Sequence, residues 1–492
     1  MVGAYLLIMV LAPAIACVAS FIIRSARFGE QINLLASIVV FVTAVPLTVW
    51  SGGGPYRFLN DYVVLDLPGA WVILCTAVVY GLASVYSVGY MRLLGEDDRL
   101  WAFYALFSGF ALTILLSAIM NNAGLNWIAI ELTTLVSTFL VGFERAPESI
   151  EAAWKYIILV SAGISLALLG TVLFYWSGSF VLGSTYEMTW DALRGAAPKM
   201  NAALVVLSYL LVLVGYGTKV GLAPMHSWLP DAHSESPAPI SAMLSGALLN
   251  GAMLGIVRFL SVADAAQDGV VARTALVAFG VVSLLVGALF IVRQDGIKRL
   301  MAYSSVEHMG VLALGFGFGG PLGIAGALYH MLNHSLNKSL MFFGAGNVMR
   351  SFGSKQIADI RGVWARQPVH GALWLAGAAA ITGAPPFGLF LSEIVILRAG
   401  FERGFGWAVY AMLVLLIVIF IGFLNHFREM YFGASPDADV SASGNERVAL
   451  SGWCVAPMWL ALLPVLVFGL WWPTDMWNHF LAVANALTGA AP

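Results

Sequence analysis

Apolar runs, each about as long as a bilayer is thick, recur along almost the whole chain. A membrane helix needs roughly 20 mostly apolar residues, and by that rule about fourteen spans are predicted. They fall at 2–23, 32–50, 69–92, 101–121, 124–143, 155–177, 203–224, 240–262, 273–292, 298–318, 321–346, 372–399, 407–430 and 452–472. Short loops join them, and an amphipathic tail follows near residues 477–487. The pattern predicts an all-α polytopic membrane protein. The first run lacks a basic leader and further spans follow it, so it reads as the first helix and not as a signal peptide.

Two runs are interrupted. YGTKVGLAPMHSWLPDAHSESPAP carries Pro224, Pro230, Pro237 and Pro239, and ITGAPPFGLFLSEIVIL carries Pro385 and Pro386. Proline removes a backbone donor and kinks a helix. In lipid the freed carbonyls are tolerated only where protein or water lines them. Paired interruptions point to a transport site inside an inverted repeat. These are the seventh and twelfth spans, so spans 4–8 and 9–13 read as two inverted copies. The expected division is 1–100 (three N-terminal helices), 101–262 (first repeat), 273–430 (second repeat) and 431–492 (last helix and tail). The copies do not match in detail. Lys219 precedes its break, Glu393 follows its own, and plain repeat arithmetic pairs Glu393 with Asp231.

Composition narrows the picture. Sixty per cent of the 492 residues are hydrophobic and 10% charged, against about 25% charged in a soluble domain. That cannot clothe a water-facing surface. A net charge of −2 gives no basic face for nucleic acid. Cys17, Cys75 and Cys454 are scattered, with no CxxC, so neither an iron–sulfur ligand set nor a disulfide framework is expected. No redox ligand set, nucleotide loop or nucleophile triad is visible, so any driving energy must come from a partner. Lysine and arginine number roughly fourteen in odd loops, Arg447 included, and roughly seven in even loops, Arg258 included. This places odd loops in the cytoplasm and both termini outside.

The remaining charges sit where they are expensive. Glu131, Lys155, Lys219, Lys338 and Glu393 fall within or at the edge of spans. Each costs about 2.5–3.5 kcal/mol at a helix centre unless paired or hydrated. A static ion pair would satisfy Glu131 and Lys219. A series of such groups across successive helices marks an ion path instead. Lys155 opens its span and either joins that path or snorkels to the interface. In GALYHMLNHSLNKSLMFF, His330, His334 and Lys338 recur at i, i+4 and i+8, on one helix face. One or two waters bridge groups a turn apart, which makes a proton wire. Two histidines at i, i+4 also suit zinc, but no HExxH glutamate lies between them and Lys338 would repel a cation, so no metal site is assigned. AYSSVEHMG puts Glu307 and His308 inside a span, as part of the wire or as a local core pair. His226, Asp231, His233 and Glu235 form a hydrated mouth or lie at headgroup level, the latter favoured for His233 and Glu235.

NWIAIELTTLVSTFLV, ESIEAAWKYIIL, GTKVGLAPMHSWLPDAHSESPAPISAMLSG, KRLMAYSSVEHMGVLALGFG and LNHSLNKSLMFFGAG resemble the antiporter-like subunits of respiratory complex I, Mrp-type antiporters and membrane-bound hydrogenases. The likeness runs from about residue 70 to 430 and is nearest to the hydrogenase-4 component F family. The resemblance implies fourteen helices, two inverted five-helix repeats and redox-linked proton translocation in a bacterial or archaeal inner membrane. By that likeness Glu131 matches the fifth-helix glutamate, Lys219 the seventh-helix lysine, His334 and Lys338 the eleventh-helix pair, His330 the upstream histidine and Glu393 the twelfth-helix terminal residue. Where some relatives carry a basic residue in the eighth span, this chain has Ser245, with Asn250 nearby. The implied partners are other membrane subunits, a peripheral redox arm and lipid. The chain itself would bind no cofactor, and nickel–iron and iron–sulfur centres would lie in partner subunits. An Mrp-type sodium/proton antiporter component, a membrane partner in inorganic-carbon uptake, and an inert scaffold are the competing readings.

Overall fold

In lipid a backbone must satisfy its own hydrogen bonds, so apolar runs of this length fold as helices. The computed structural model describes residues 1–94, 97–267, 269–433 and 450–489. In chain order the helices are α1 (Val2–Ile23), α2 (Ala26–Trp50), α3 (Leu67–Tyr90), α4 (Leu100–Ile119), α5 (Ala123–Val141), α6 (Pro147–Leu182), α7 (Trp190–Ala196), α8 (Ala202–Val220), α9 (Trp228–Glu235) and α10 (Ala238–Met243). They continue with α11 (Leu249–Ala265), α12 (Gly269–Ile291), α13 (Ile297–Phe318), α14 (Gly320–Phe352), α15 (Val363–Arg366), α16 (Pro368–Ile381), α17 (Gly388–Glu402), α18 (Gly406–Phe432), α19 (Gly452–Leu470) and α20 (Thr474–Thr488). Side-chain caps fix several starts. Asp66 accepts from Gly69 N at α3, Asn122 from Gly124 N and Leu125 N at α5, and Asn201 from Leu204 N at α8. These side-chain oxygens meet donors that the first turn leaves unpaired.

Among the described residues, eleven helical stretches are long and apolar enough to cross a membrane. The other predicted spans are the polar ones. α13 and α14 have the length, 22 and 33 residues, but carry the charged and histidine positions. The twelfth predicted span is two short helices, α16 and α17. α10 and α11 form one stretch through a π turn at Leu244–Leu248, and its most apolar window is wholly buried. A short antiparallel ribbon (Tyr56–Phe58 with Val63–Leu65) and α7 were not expected. The predicted tail is α20, whose Phe480, Val483, Ala484 and Leu487 turn one face inward.

α14 lies at the centre, packed by α3, α10, α13, α16, α17, α19 and α20. It is buried without interruption from Gly323 to Val348, so its polar side chains face protein on every side. Helices α1, α2, α6, α12 and α18 form the rim and expose Leu7, Val42, Phe180, Leu289 and Ile421. That apolar rim suits acyl chains. Arg258, counted above with the loops, is instead only 3% exposed within α11. It bonds both Asp66 oxygens at 2.9 and 3.0 Å and the Ala118 and Met120 carbonyls. Arg447 lies outside the described residues.

Both proline-bearing breaks are present. α8 stops at Val220, Gly221 takes φ 79°, and the chain resumes as α9. α16 stops at Ile381, Gly383 takes φ 68°, and α17 starts at Gly388. Glycine adopts such a φ without the penalty a Cβ brings.

Candidate functional site

At the first break, Lys219 occupies the last turn of α8, where the helix dipole favours a cation. It is fully buried. Its Nζ donates to Thr134 Oγ1 at 2.8 Å and to Tyr156 OH at 2.7 Å, and lies 5.0 Å from the Tyr156 ring centre. Tyr156 in turn shares a 2.7 Å bond with Ser137. Glu131, half-buried on α5, accepts from Ser161 at 2.7 Å and from Thr134 at 3.4 Å. Among the described residues no direct ion pair joins Glu131 to Lys219. The Thr134 hydroxyl stands between them, accepting from the lysine and donating to the carboxylate. The expected pair is therefore a hydroxyl-bridged one.

The centre is polar and wholly buried. The π turn presents Ser245 to Ser305 at 2.8 Å. The Gly246 carbonyl accepts from Asn250 Nδ2 at 2.9 Å and from Ser335 at 2.7 Å. Asn250 also donates to Ser335 at 2.8 Å. A π turn displaces the regular carbonyl ladder, and here side chains occupy what it offers. Lys338 donates to the Met301 carbonyl at 2.9 Å, and Glu307 is close enough for the two charges to interact. Both nitrogens of His334 and His233 and both oxygens of Glu307 are buried with no hydrogen-bond partner among the described residues. Buried polar atoms of this kind are normally met by ordered water.

At the second break His308 and His330 bond each other directly, Nδ1 to Nε2, at 3.0 Å. His308 Nε2 donates to the Ile381 carbonyl at 3.1 Å, and His330 Nδ1 lies 2.9 Å from Ser392 Oγ. Glu393 reaches back over the break. A Cβ on Gly383 would sit 2.3 Å from its Oε2. Each break thus carries an ionisable side chain against it. His308, His330 and Glu393 each offer a ligand atom within 4.8 Å of the others.

The structure decides one open reading, locates the Asp231 cluster and corrects one expectation, that of His233. Lys155 is not in the interior. Its side chain is 47% exposed and bonded to Glu151 at 2.6 Å and Asp231 at 3.2 Å, because it lies on the outer face of α6 where its stem can snorkel. Asp231 pairs with Arg299 at 2.5 Å as well, so it belongs to a surface ion cluster. His226 packs nearby against Phe290 and Tyr303. His233, placed at headgroup level by its polar surroundings, is buried between Trp228 and Phe342. Glu235 does pair at the surface, with Lys355 at 2.8 Å.

Residues 120–419 match the family profile described as NADH:quinone oxidoreductase/Mrp antiporter, TM. The chain belongs to that family. The hydrogenase-4 component F homolog of Methylacidiphilum infernorum is 39% identical over 386 residues, 77% of this chain and 80% of that one. Hydrogenase-4 component B of Escherichia coli is 30% identical over 69% of this chain, which spans about half (51%) of that longer protein. The NADH-quinone oxidoreductase subunit N of Desulforudis audaxviator is 27% identical over 92% of this chain and 88% of its own length. Solved structures agree in fold. A chain of an archaeal membrane-bound sulfane sulfur reductase superposes with TM-score 0.87 at 22% identity, covering 99% and 97% of the two chains. A chain of the Mrp complex from Dietzia sp. gives 0.84 at 17% identity, covering 98% and 97%. This protein is therefore a multi-pass antiporter-like membrane subunit.

Several contacts of the candidate site in this antiporter-like subunit are invisible to motif reading. Thr134, Tyr156, Ser161 and Ser392 touch the charged groups, yet hydroxyls are common in apolar helices. Only Thr134, three residues after Glu131, and Ser392, next to Glu393, have a spacing that could have flagged them.

Proposed function

We propose that this antiporter-like subunit conducts protons within the membrane arm of a redox-driven complex of the hydrogenase-4 or complex I kind. The observation that carries this reading is the row of titratable groups around the two helix breaks, all buried except the half-buried Glu131. It runs from Glu131 and Lys219, past Lys338, Glu307 and His334, to His308, His330 and Glu393. Polar atoms without protein partners lie along it, where water can complete a wire.

The Lys219–Thr134–Glu131 bridge is the gate in this reading. A carboxylate drawn close keeps a proton on the ammonium. Moved away, it leaves a charge in an apolar interior, and the proton is released. The centre passes it through water by way of His334 and Lys338 to the His308–His330 pair and Glu393. Energy comes from a partner, with nickel–iron and iron–sulfur centres in neighbouring subunits. Greater identity to the component F homolog favours this over the Mrp-type and inorganic-carbon readings, which share the fold. Spans 4–8 and 9–13 form inverted repeats in this account, with odd loops in the cytoplasm of a prokaryotic inner membrane and both termini outside.

The test is Lys219→Ala in the intact complex, assayed for proton uptake by vesicles alongside electron transfer. Proton uptake should fall at least about tenfold. Normal pumping would overturn the reading.

A further inference from the structure

The hydrogens of the chain Ile381–His308–His330–Ser392–Leu389 can be counted. A carbonyl only accepts, so His308 Nε2 carries the hydrogen it gives Ile381 across 3.1 Å. A neutral imidazole has one N–H, so the Nδ1 of His308 is bare. It accepts from His330 Nε2 across 3.0 Å. His330 has then used its own N–H, and its Nδ1 accepts from the Ser392 hydroxyl 2.9 Å away. Three links take three hydrogens, which two neutral rings and one hydroxyl supply.

The same atoms make a second complete pattern with one proton more. Ser392 Oγ also lies 2.7 Å from the Leu389 carbonyl. When its hydroxyl turns there, His330 Nδ1 can bind a proton and donate to Ser392 Oγ. No other bond breaks. The added charge is shared between the rings through the single hydrogen linking them. A further proton would set two N–H groups against each other across the same 3.0 Å gap.

We propose that His308, His330 and Ser392 form a binding site for one proton, and that the Ser392 hydroxyl turns from His330 to the Leu389 carbonyl as the site fills. The proposal rests on the conduction reading only for the source of its proton. Ser392 acts as a positioning residue. The surrounding charges bias the site in opposite directions. Glu307 on α13 places Oε2 3.8 Å from His308 Nε2, and Glu393 on α17 brings a carboxylate oxygen within 4.8 Å of a nitrogen of each ring. Either carboxylate favours the filled site. His334, its ring 5.2 Å from that of His308, and Lys338 oppose it when charged. α12 packs Gly287 against Glu307 and adds no titratable side chain there, and α16 adds only the Ile381 carbonyl. Filling of the site and protonation of Lys338 therefore compete, which suits a relay.

The test uses the full chain in its complex, histidine-labelled with 15N, in lipid vesicles. Solid-state NMR distinguishes bare from protonated ring nitrogens, and His308→Gln and His330→Gln difference spectra assign them. On acidification, one bare nitrogen of the pair should disappear and the second should not. Ser392→Ala should lower proton affinity about tenfold, because the filled site loses a charge-assisted bond and the empty one a weaker neutral bond. Ser392→Thr should restore it. Loss of two bare nitrogens, or an alanine variant titrating like the parent, would overturn the proposal. So would a pair that never titrates together with one equivalent of metal released by chelator. The count itself is read on the parent chain, the glutamine variants serving only to assign its signals. It is also read without turnover, so it is decided separately from pumping by Lys219→Ala.

Discussion

Each helix break leaves a carbonyl at the end of its first half, and the two are met by different chemistry. At the first break the indole of Trp228 donates to the Thr218 carbonyl at 2.6 Å. At the second the imidazole of His308 donates to the Ile381 carbonyl at 3.1 Å. Indole N–H is a donor only, whereas imidazole is a donor that also titrates. The first break is thus closed by a fixed bond, and its charge, Lys219, is held by the hydroxyls of Thr134 and Tyr156. The second is closed by a group that exchanges protons, surrounded by carboxylates with unused oxygens. One architectural problem has been solved once for rigidity and once for chemistry. In the proposed reading the first break gates the proton held by Lys219, and the second passes protons through its histidines.

The largest effect that would break this contrast is expected from His308→Phe. It removes the donor to Ile381 and the partner of His330 together. At about 1–3 kcal/mol per bond left unmade, the variant should be about 2–6 kcal/mol less stable, and proton uptake by vesicles should be lost. Conduction surviving in a correctly assembled His308→Phe complex would remove the second break from the path. Next come the two break glycines. An added Cβ at either is strained at positive φ by roughly 1–2 kcal/mol. At Gly221 it meets Leu229 Cδ1 at 2.3 Å, and at Gly383 it meets the Glu393 carboxylate at 2.3 Å. Thermal stability should fall in both variants, but only Gly383→Ala should slow proton transfer several-fold. Equal slowing in both would blur the distinction.

Trp228→Phe should cost about 1–2 kcal/mol of stability, since Thr218 O keeps only its bond from Gly221 N. The ratio of protons to electrons should stay unchanged. A changed ratio would give the indole a role beyond closure. The smallest effect is expected from Lys155→Ala, worth at most about 1 kcal/mol for an exposed ion pair. Pumping should be normal and insensitive to salt. A pumping defect would return Lys155 to the path.

Sequence patterning made much of this legible, for reasons that also mark its limits. Apolar length gave the helices, because lipid leaves the backbone no alternative. It counted α13, α14 and the α16–α17 pair as spans like the rest, although their polar residues set them apart. The i, i+4, i+8 series put His330, His334 and Lys338 on one buried face, and glycine–proline clusters gave both breaks. Contacts between helices were beyond it. The bond between His308 and His330 joins α13 to α14, and Thr134 stands between two charges from different helices. Burial was harder to read. His233 looked superficial because its neighbours are polar, and Lys155, at the edge of an apolar run, could be read either as interior or as snorkelling. Each side chain follows its own direction from the helix, which local composition does not report.

The account depends on the central lysine joining the two breaks. Proton uptake per electron by vesicles holding the intact complex with Lys338→Ala tests this most directly. Uptake reduced at least about tenfold, while the complex stays assembled, is the predicted result. An unchanged ratio would mean that protons do not pass through this centre, and the track from Glu131 to Glu393 would be no path at all.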